Sequence, residues 1–184
     1  MAVSKTSISV EEFEDFIAQP ENAERRFELI NGEIVEKMPT EEHGLLAGRL
    51  HGEIYILLKT HPIGRATVEA RHRSPDDDQN DRLPDVAFTS FERALPLVKK
   101  GAVPQMPDLV IEIKSPDDST TKLREKALYY LKNGARLVWL VFPDRKQVEV
   151  YTENAVQTLS LGDILDGGDV LPGFSLALKD LFAE

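Results

Sequence analysis

Residues 107–116, Pro-Asp-Leu-Val-Ile-Glu-Ile-Lys-Ser-Pro, spell a strand that is apolar on one face and ends with two opposite charges on the other. With the two-residue period of a strand, Leu109, Ile111 and Ile113 share one face, while Val110, Glu112 and Lys114 share the other. A charge taken out of water is costly unless a partner, a metal or a substrate neutralises it. The stretch therefore reads as a functional site. The same residues also fit a strand that ends in solvent, with Glu112 and Lys114 at its wet tip.

The residues after that strand restrict the fold. Asp117, Asp118 and Ser119 offer N-caps to a helix from about Thr120 to Asn133, stopped by Gly134 and turning Leu123, Ala127, Tyr130 and Leu131 inward. Next comes Leu137-Val138-Trp139-Leu140-Val141-Phe142, a near-continuous apolar run of the kind found in strands covered on both faces. Strand, helix and strand make one right-handed crossover joining parallel strands. The expected fold class is α/β: a central mixed sheet flanked by helices, preceded by an N-terminal helix and a hairpin.

The rest of the chain fits around that heart. Ser9-Val10-Glu11-Glu12 is a capping box for a helix running to about Gln19. Asn31-Gly32 between apolar runs predicts a two-residue hairpin with Leu29 facing Ile34. From His43 to Lys59, Leu46, Ala47, Leu50, Ile54, Leu57 and Leu58 repeat at helical spacing. Gly44, Gly48 and Gly52 on that helix leave a smooth ridge, read here as suited to close packing against another element. Strands are expected near residues 65–73, 83–89 and 147–151, with turns at Gly167-Gly168 and Pro172-Gly173 and a last helical turn near residues 178–182. With 184 residues, no repeats and no linker, a single domain over residues 1–184 is expected.

Composition limits the chemistry. No cysteine is present, so disulfides, thiolate nucleophiles and cysteine-ligated metals are excluded, and a metal must sit on oxygen or imidazole. The absence of a long apolar run or a signal-peptide core points to a cytoplasmic address with no membrane partner. A net charge of −10 argues against non-specific adhesion to nucleic acid, which needs neutralised phosphates, but leaves room for a local basic groove.

Two Pro-Asp pairs compete to join Glu112. Asp108 lies four residues back on the same strand, about 13 Å away at about 3.3 Å per residue, whereas neighbouring strands are only about 4.8 Å apart. Asp85, in Leu83-Pro84-Asp85-Val86, sits on a strand that can lie beside the central one. Asp85, Glu112 and Lys114 then make one constellation. Two carboxylates with a backbone carbonyl, such as that of Ile113, suit Mg²⁺ or Mn²⁺ that keeps several waters. Lys114 is placed to hold a phosphate or to orient the attacking water.

In order along the chain, these residues resemble the Uma2 family of restriction-endonuclease-like proteins, within the PD-(D/E)XK nuclease superfamily. Phe27-Glu28-Leu29-Ile30-Asn31-Gly32-Glu33 with Met38 and His43 is similar to the family's opening hairpin and helix. Leu83 to Val86, residues 107–116, Lys126, Tyr130 and Gly134 with Leu137 to Val141, and Pro172-Gly173-Phe174 correspond to its later blocks. The resemblance implies a restriction-endonuclease-like core in which Asp85, Glu112 and Lys114 take the places of the superfamily's Asp, Glu and Lys. It also implies that Lys126 and Tyr130, one turn apart on the next helix, direct polar groups at the site. The expected activity is metal-dependent hydrolysis of DNA. The competing expectation is a catalytically silent interaction module. In the latter reading the hairpin and the glycine-ridged helix form a dimer interface, and a homodimer is compatible with either reading.

Other residues carry less. His43 and His51 lie eight apart, wider than the four-residue spacing of helical zinc ligands, and are expected in packing or surface roles. Glu28, Glu53 and Glu69 are candidates for an extra contact to the ion or its waters. The run Asp76 to Asp81 has Asp81 and Ala87 where a calcium loop needs Gly and Glu, and reads as a solvated loop. Arg65, Arg71, Arg73, Lys122, Arg124 and Lys126 are the cations expected to guide a nucleic acid to the site.

Overall fold

In the computed structural model, which describes residues 7–183, four α-helices flank a six-stranded mixed sheet. The crossover expected from residues 107–142 is its centre. β5 (Leu109–Ile113) runs parallel to β6 (Leu137–Phe142), and α3 (Thr120–Lys132) joins them. Ser119 caps α3 by accepting from the Lys122 amide, and Gly134 ends it at φ +105°. β4 (Val86–Ser90) lies antiparallel to β5 on one side, flanked by β3 (Gly64–Val68) at the edge. On the other side β7 (Gln147–Tyr151) and β8 (Val156–Leu159) continue the sheet antiparallel to β6.

The two-residue alternation of β5 and β6 separates the core into two halves. Leu109, Ile111, Ile113, Leu137, Trp139 and Val141 pack on the face shared with α2 (Glu41–Thr60), whose Leu46, Leu50 and Ile54 are buried there. Val110, Val138, Leu140 and Phe142 pack on the opposite face against Leu123, Ala127 and Tyr130 of α3. Glu112 falls on the α3 side by the same alternation. It is only 2% exposed, so the wet-tip reading of this strand is corrected: the charge is inside.

The N-terminal elements form a separate layer. α1 (Val10–Ile17) carries the expected capping box, with Ser9 and Glu12 satisfying each other's amides. β1 (Phe27–Ile30) and β2 (Glu33–Glu36) make the expected hairpin, with Leu29 opposite Ile34 and both Asn31 and Gly32 at positive φ. Phe27 and Leu29 pack on Val10 and Phe13 of α1. Glu28, between them, faces the other way.

Three expectations are revised. The strand predicted over residues 65–73 stops at Val68, because Glu69 turns to φ +48°. The glycine ridge of α2 is not packed: a Cβ built on Gly44, Gly48 or Gly52 meets nothing within 4 Å. The acidic loop is anchored rather than merely solvated, since Asp77 accepts from the Gln79 amide and from the Tyr129 hydroxyl on α3. The C-terminal segment closes with β9 (Ile164–Asp166) paired to β10 (Ser175–Ala177), then α4 (Leu178–Leu181).

Candidate active site

The pairing of β4 with β5 sets the geometry. Val86 stands opposite Ile111, so one further step puts Asp85 beside Glu112. The Ile113 amide donates to Asp85 Oδ2 at 2.7 Å, extending the sheet contact through a side chain. Ile113 thus meets Asp85 through its N–H. Both carboxylates are almost wholly buried, Asp85 at 1% exposure.

Their charges are met by side chains from three other elements. Lys37, in the connection between β2 and α2, places its Nζ 2.5 Å from Asp85 Oδ1 and 3.6 Å from Glu112 Oε2, and donates to the Leu83 carbonyl at 2.8 Å. Those two oxygens are therefore no further apart than the two ion-pair distances laid end to end, within the span of one hydrated cation. His43, in the first turn of α2, brings its Nε2 3.0 Å from Asp85 Oδ2. From α3, Lys126 Nζ donates to Glu112 Oε2 at 3.0 Å and to Glu28 Oε1 at 2.8 Å, while the Tyr130 hydroxyl donates to Glu112 Oε1 at 2.7 Å.

Burial and charge act in opposite directions on these groups. Burial raises the pKa of Asp85, but the Lys37 ammonium and the His43 hydrogen bond outweigh it and hold the carboxyl below its usual range. Glu28 behaves alike: burial raises it, and Lys126, Lys37 and Arg82 together pull it down. Burial lowers Lys37 and Lys126, yet the surrounding carboxylates win and both ammoniums stay charged. The Tyr130 phenol is pushed up by burial and by Glu112, so it remains a donor. Asp85 and Glu28 are thus held as carboxylates by the ammoniums around them.

The expected residues are distributed unequally over this site. Asp85, Glu112, Lys126 and Tyr130 meet there. Lys114, half-buried, turns its ammonium to the Ser115 and Pro116 carbonyls, at 3.1 and 3.4 Å. Glu28 joins the site, whereas Glu53 is exposed on α2 and Glu69 pairs with Arg26. Asp108 is buried elsewhere, accepting from the Ser90 amide and from Arg93. Of the expected guiding cations, Arg71 is paired with Glu14 and Asp81, and Arg124 with Glu149, so neither offers a free charge to a phosphate.

Lys37 and His43 in these roles were not anticipated. The expected packing or surface role of His43 is corrected: its ring is held on a carboxylate. His51 does remain peripheral, stacked on Tyr55. A lysine in a short connection carries no periodic signal, and lysines are mostly exposed.

The donor set fits a hydrated divalent ion. Glu28 Oε2 is buried and without a hydrogen-bond partner, an unused acceptor in the same cluster as Asp85 and Glu112. Among the described residues no three acidic or histidine side chains are grouped in a ready ligand set. Few protein ligands and several retained waters are what Mg²⁺ accepts.

Comparison with known proteins finds both a family and solved structures that this chain resembles. A family model, Uma2, described as "Putative restriction endonuclease", matches residues 10–179. A solved structure described as a "putative nuclease belonging to DUF820" from Anabaena variabilis ATCC 29413 is 27% identical. The match covers 95% of this chain and 97% of that one, with a TM-score of 0.80. The mixed sheet with its flanking helices is thereby a nuclease fold. Among curated proteins none matches.

Proposed function

This chain is a member of the Uma2 family, and from that premise we propose that it is a metal-dependent endonuclease hydrolysing phosphodiester bonds of DNA. The observation that carries the reading is the buried pair Asp85 and Glu112 at the end of two adjacent strands, with Glu28 Oε2 unpaired beside them. Asp85 and Glu112 would hold Mg²⁺ or Mn²⁺, which would polarise a phosphate oxygen and lower the pKa of a water there.

The chain's own groups do the rest. Lys126 and Tyr130 fix both oxygens of Glu112, so the carboxylate does not rotate away from the ion. The Ile113 amide and His43 do the same for Asp85 Oδ2. Lys114 stands two residues after Glu112 at the end of β5. Released from the Ser115 and Pro116 carbonyls, its ammonium serves the substrate phosphate, where negative charge grows in the transition state. A cytoplasmic location belongs to the same reading.

A homodimer is proposed with it. Leu45, Tyr55 and Ile56 are exposed on α2, with the open Gly48 and Gly52 between them along the helix, leaving an apolar, low-relief face for a second copy. Sedimentation of wild type and Ile56→Glu tests it: the dimer should dissociate in the variant, and a wild-type monomer at all concentrations removes the claim.

The deciding experiment is cleavage of DNA with Mg²⁺, Mn²⁺ or chelator, for wild type, Asp85→Asn, Glu112→Gln and Lys114→Ala. Expected is metal-dependent cleavage abolished in all three. Calorimetry should show Mn²⁺ binding weakened in the first two and retained in the third. Equal trace cleavage in wild type and variants assigns the activity to a contaminant and favours an interaction module.

A further inference from the structure

We propose that Lys37 is a tethered counter-ion that competes with the divalent ion for Asp85 and Glu112, and must leave before that ion binds. The inference rests on the metal-dependent reading of the site and adds to it a residue that sets how readily the metal enters.

Position is the first argument. The ammonium of Lys37 lies between the two carboxylates a shared ion must bridge, and it contacts both. Lys126 neutralises the same cluster from the side of Glu28 and Glu112. A cation set between Asp85 and Glu112 would meet Lys37 at close range in a site with little water to screen the repulsion.

Charge balance is the second. Two ammoniums, Lys37 and Lys126, contact the carboxylates Asp85, Glu112 and Glu28. A divalent ion set among them brings two further positive charges into the buried cluster unless a cation withdraws. Lys126 projects from helix α3. Lys37 stands in the connection after β2, where neither helix nor strand is formed, and its stem of four methylenes can carry the ammonium outward without moving the fold.

The test is Mn²⁺ calorimetry at fixed pH and ionic strength on wild type, Lys37→Met and Lys37→Arg. Competition requires Lys37→Met to bind Mn²⁺ at least tenfold more tightly than wild type, and Lys37→Arg, which keeps the charge, to gain nothing. Wild type that binds Mn²⁺ with Lys37→Met no tighter overturns the competition and leaves the metal site standing. Binding by none of the three overturns both. Should Lys37→Met not fold, amine acetylation of the wild type, read by mass spectrometry, decides. Mg²⁺ at a concentration that raises the melting temperature should increase labelling of Lys37 several-fold over the same ionic strength of KCl, with Lys126 unchanged. Unchanged labelling of Lys37 overturns the proposal.

Discussion

The hydroxyl of Tyr130 donates to Glu112 Oε1 at 2.7 Å, so a residue in the apolar face of α3 completes the hydrogen bonding of a carboxylate on β5. Tyr130→Phe removes the donor and keeps the ring. The buried oxygen left without a partner should cost about 1–3 kcal/mol of stability, measured by urea denaturation. Lys126→Met should cost more, about 3–5 kcal/mol, because Glu28 and Glu112 then share one fewer counter-charge. The two losses should not add, since both act on one carboxylate.

Asp108 and Asp85 both sit directly after a proline, yet their substitutions should separate stability from metal binding. Asp108 takes the Ser90 amide at 2.8 Å and Arg93 at 2.5 Å, so Asp108→Ala leaves the Ser90 amide without its partner and Arg93 with only the Gly134 carbonyl. A loss of about 1–3 kcal/mol is expected. Mn²⁺ binding by the folded fraction should be unchanged, whereas Asp85→Asn should weaken it.

Asp81 gives a pH signature. Burial pushes its carboxyl up to about 7 from 3.8, only partly opposed by Arg71, and one of its oxygens is buried without a hydrogen bond. The folded state therefore holds a proton that the unfolded chain has released between pH 4 and 7. Its contribution to stability is present below that window and is lost as pH rises through it. Asp81→Asn removes the slope. Against wild type it should be roughly equal at pH 4 and more stable at pH 8, by an amount on the order of a few kcal/mol in denaturant titrations. No change in the difference between pH 4 and 8 would show that Asp81 is ionised throughout.

Glu149 tests the opposite sign at a distance from the site. Burial raises its pKa, but Arg124 and Tyr151 outweigh that and lower it below the usual carboxylate value. Its contribution is present above the unfolded value near 4.5 and lost as pH falls below it. Glu149→Gln should therefore destabilise the protein at pH 7 and converge with wild type toward pH 3 in acid titrations monitored by circular dichroism.

Local chemistry determined much of this protein. The capping box at Ser9 and Glu12 and the Asn31-Gly32 turn each depend on a few neighbouring residues, and each forms where those residues stand. The crossover from β5 through α3 to β6 was legible because apolar runs and a glycine stop are written into its residues. Asp85 and Glu112 could be paired from the sequence because strand spacing limits what lies beside what. What tertiary structure alone decided is which cations answer those carboxylates. Lys114 stands two residues after Glu112, just past the end of β5, yet its ammonium is held by the carbonyls of Ser115 and Pro116, while Lys37 and His43 come from far upstream and meet Asp85. A lysine's long stem lets its charge settle wherever the fold leaves a buried anion, and that position depends on how the hairpin, α2 and the sheet pack together.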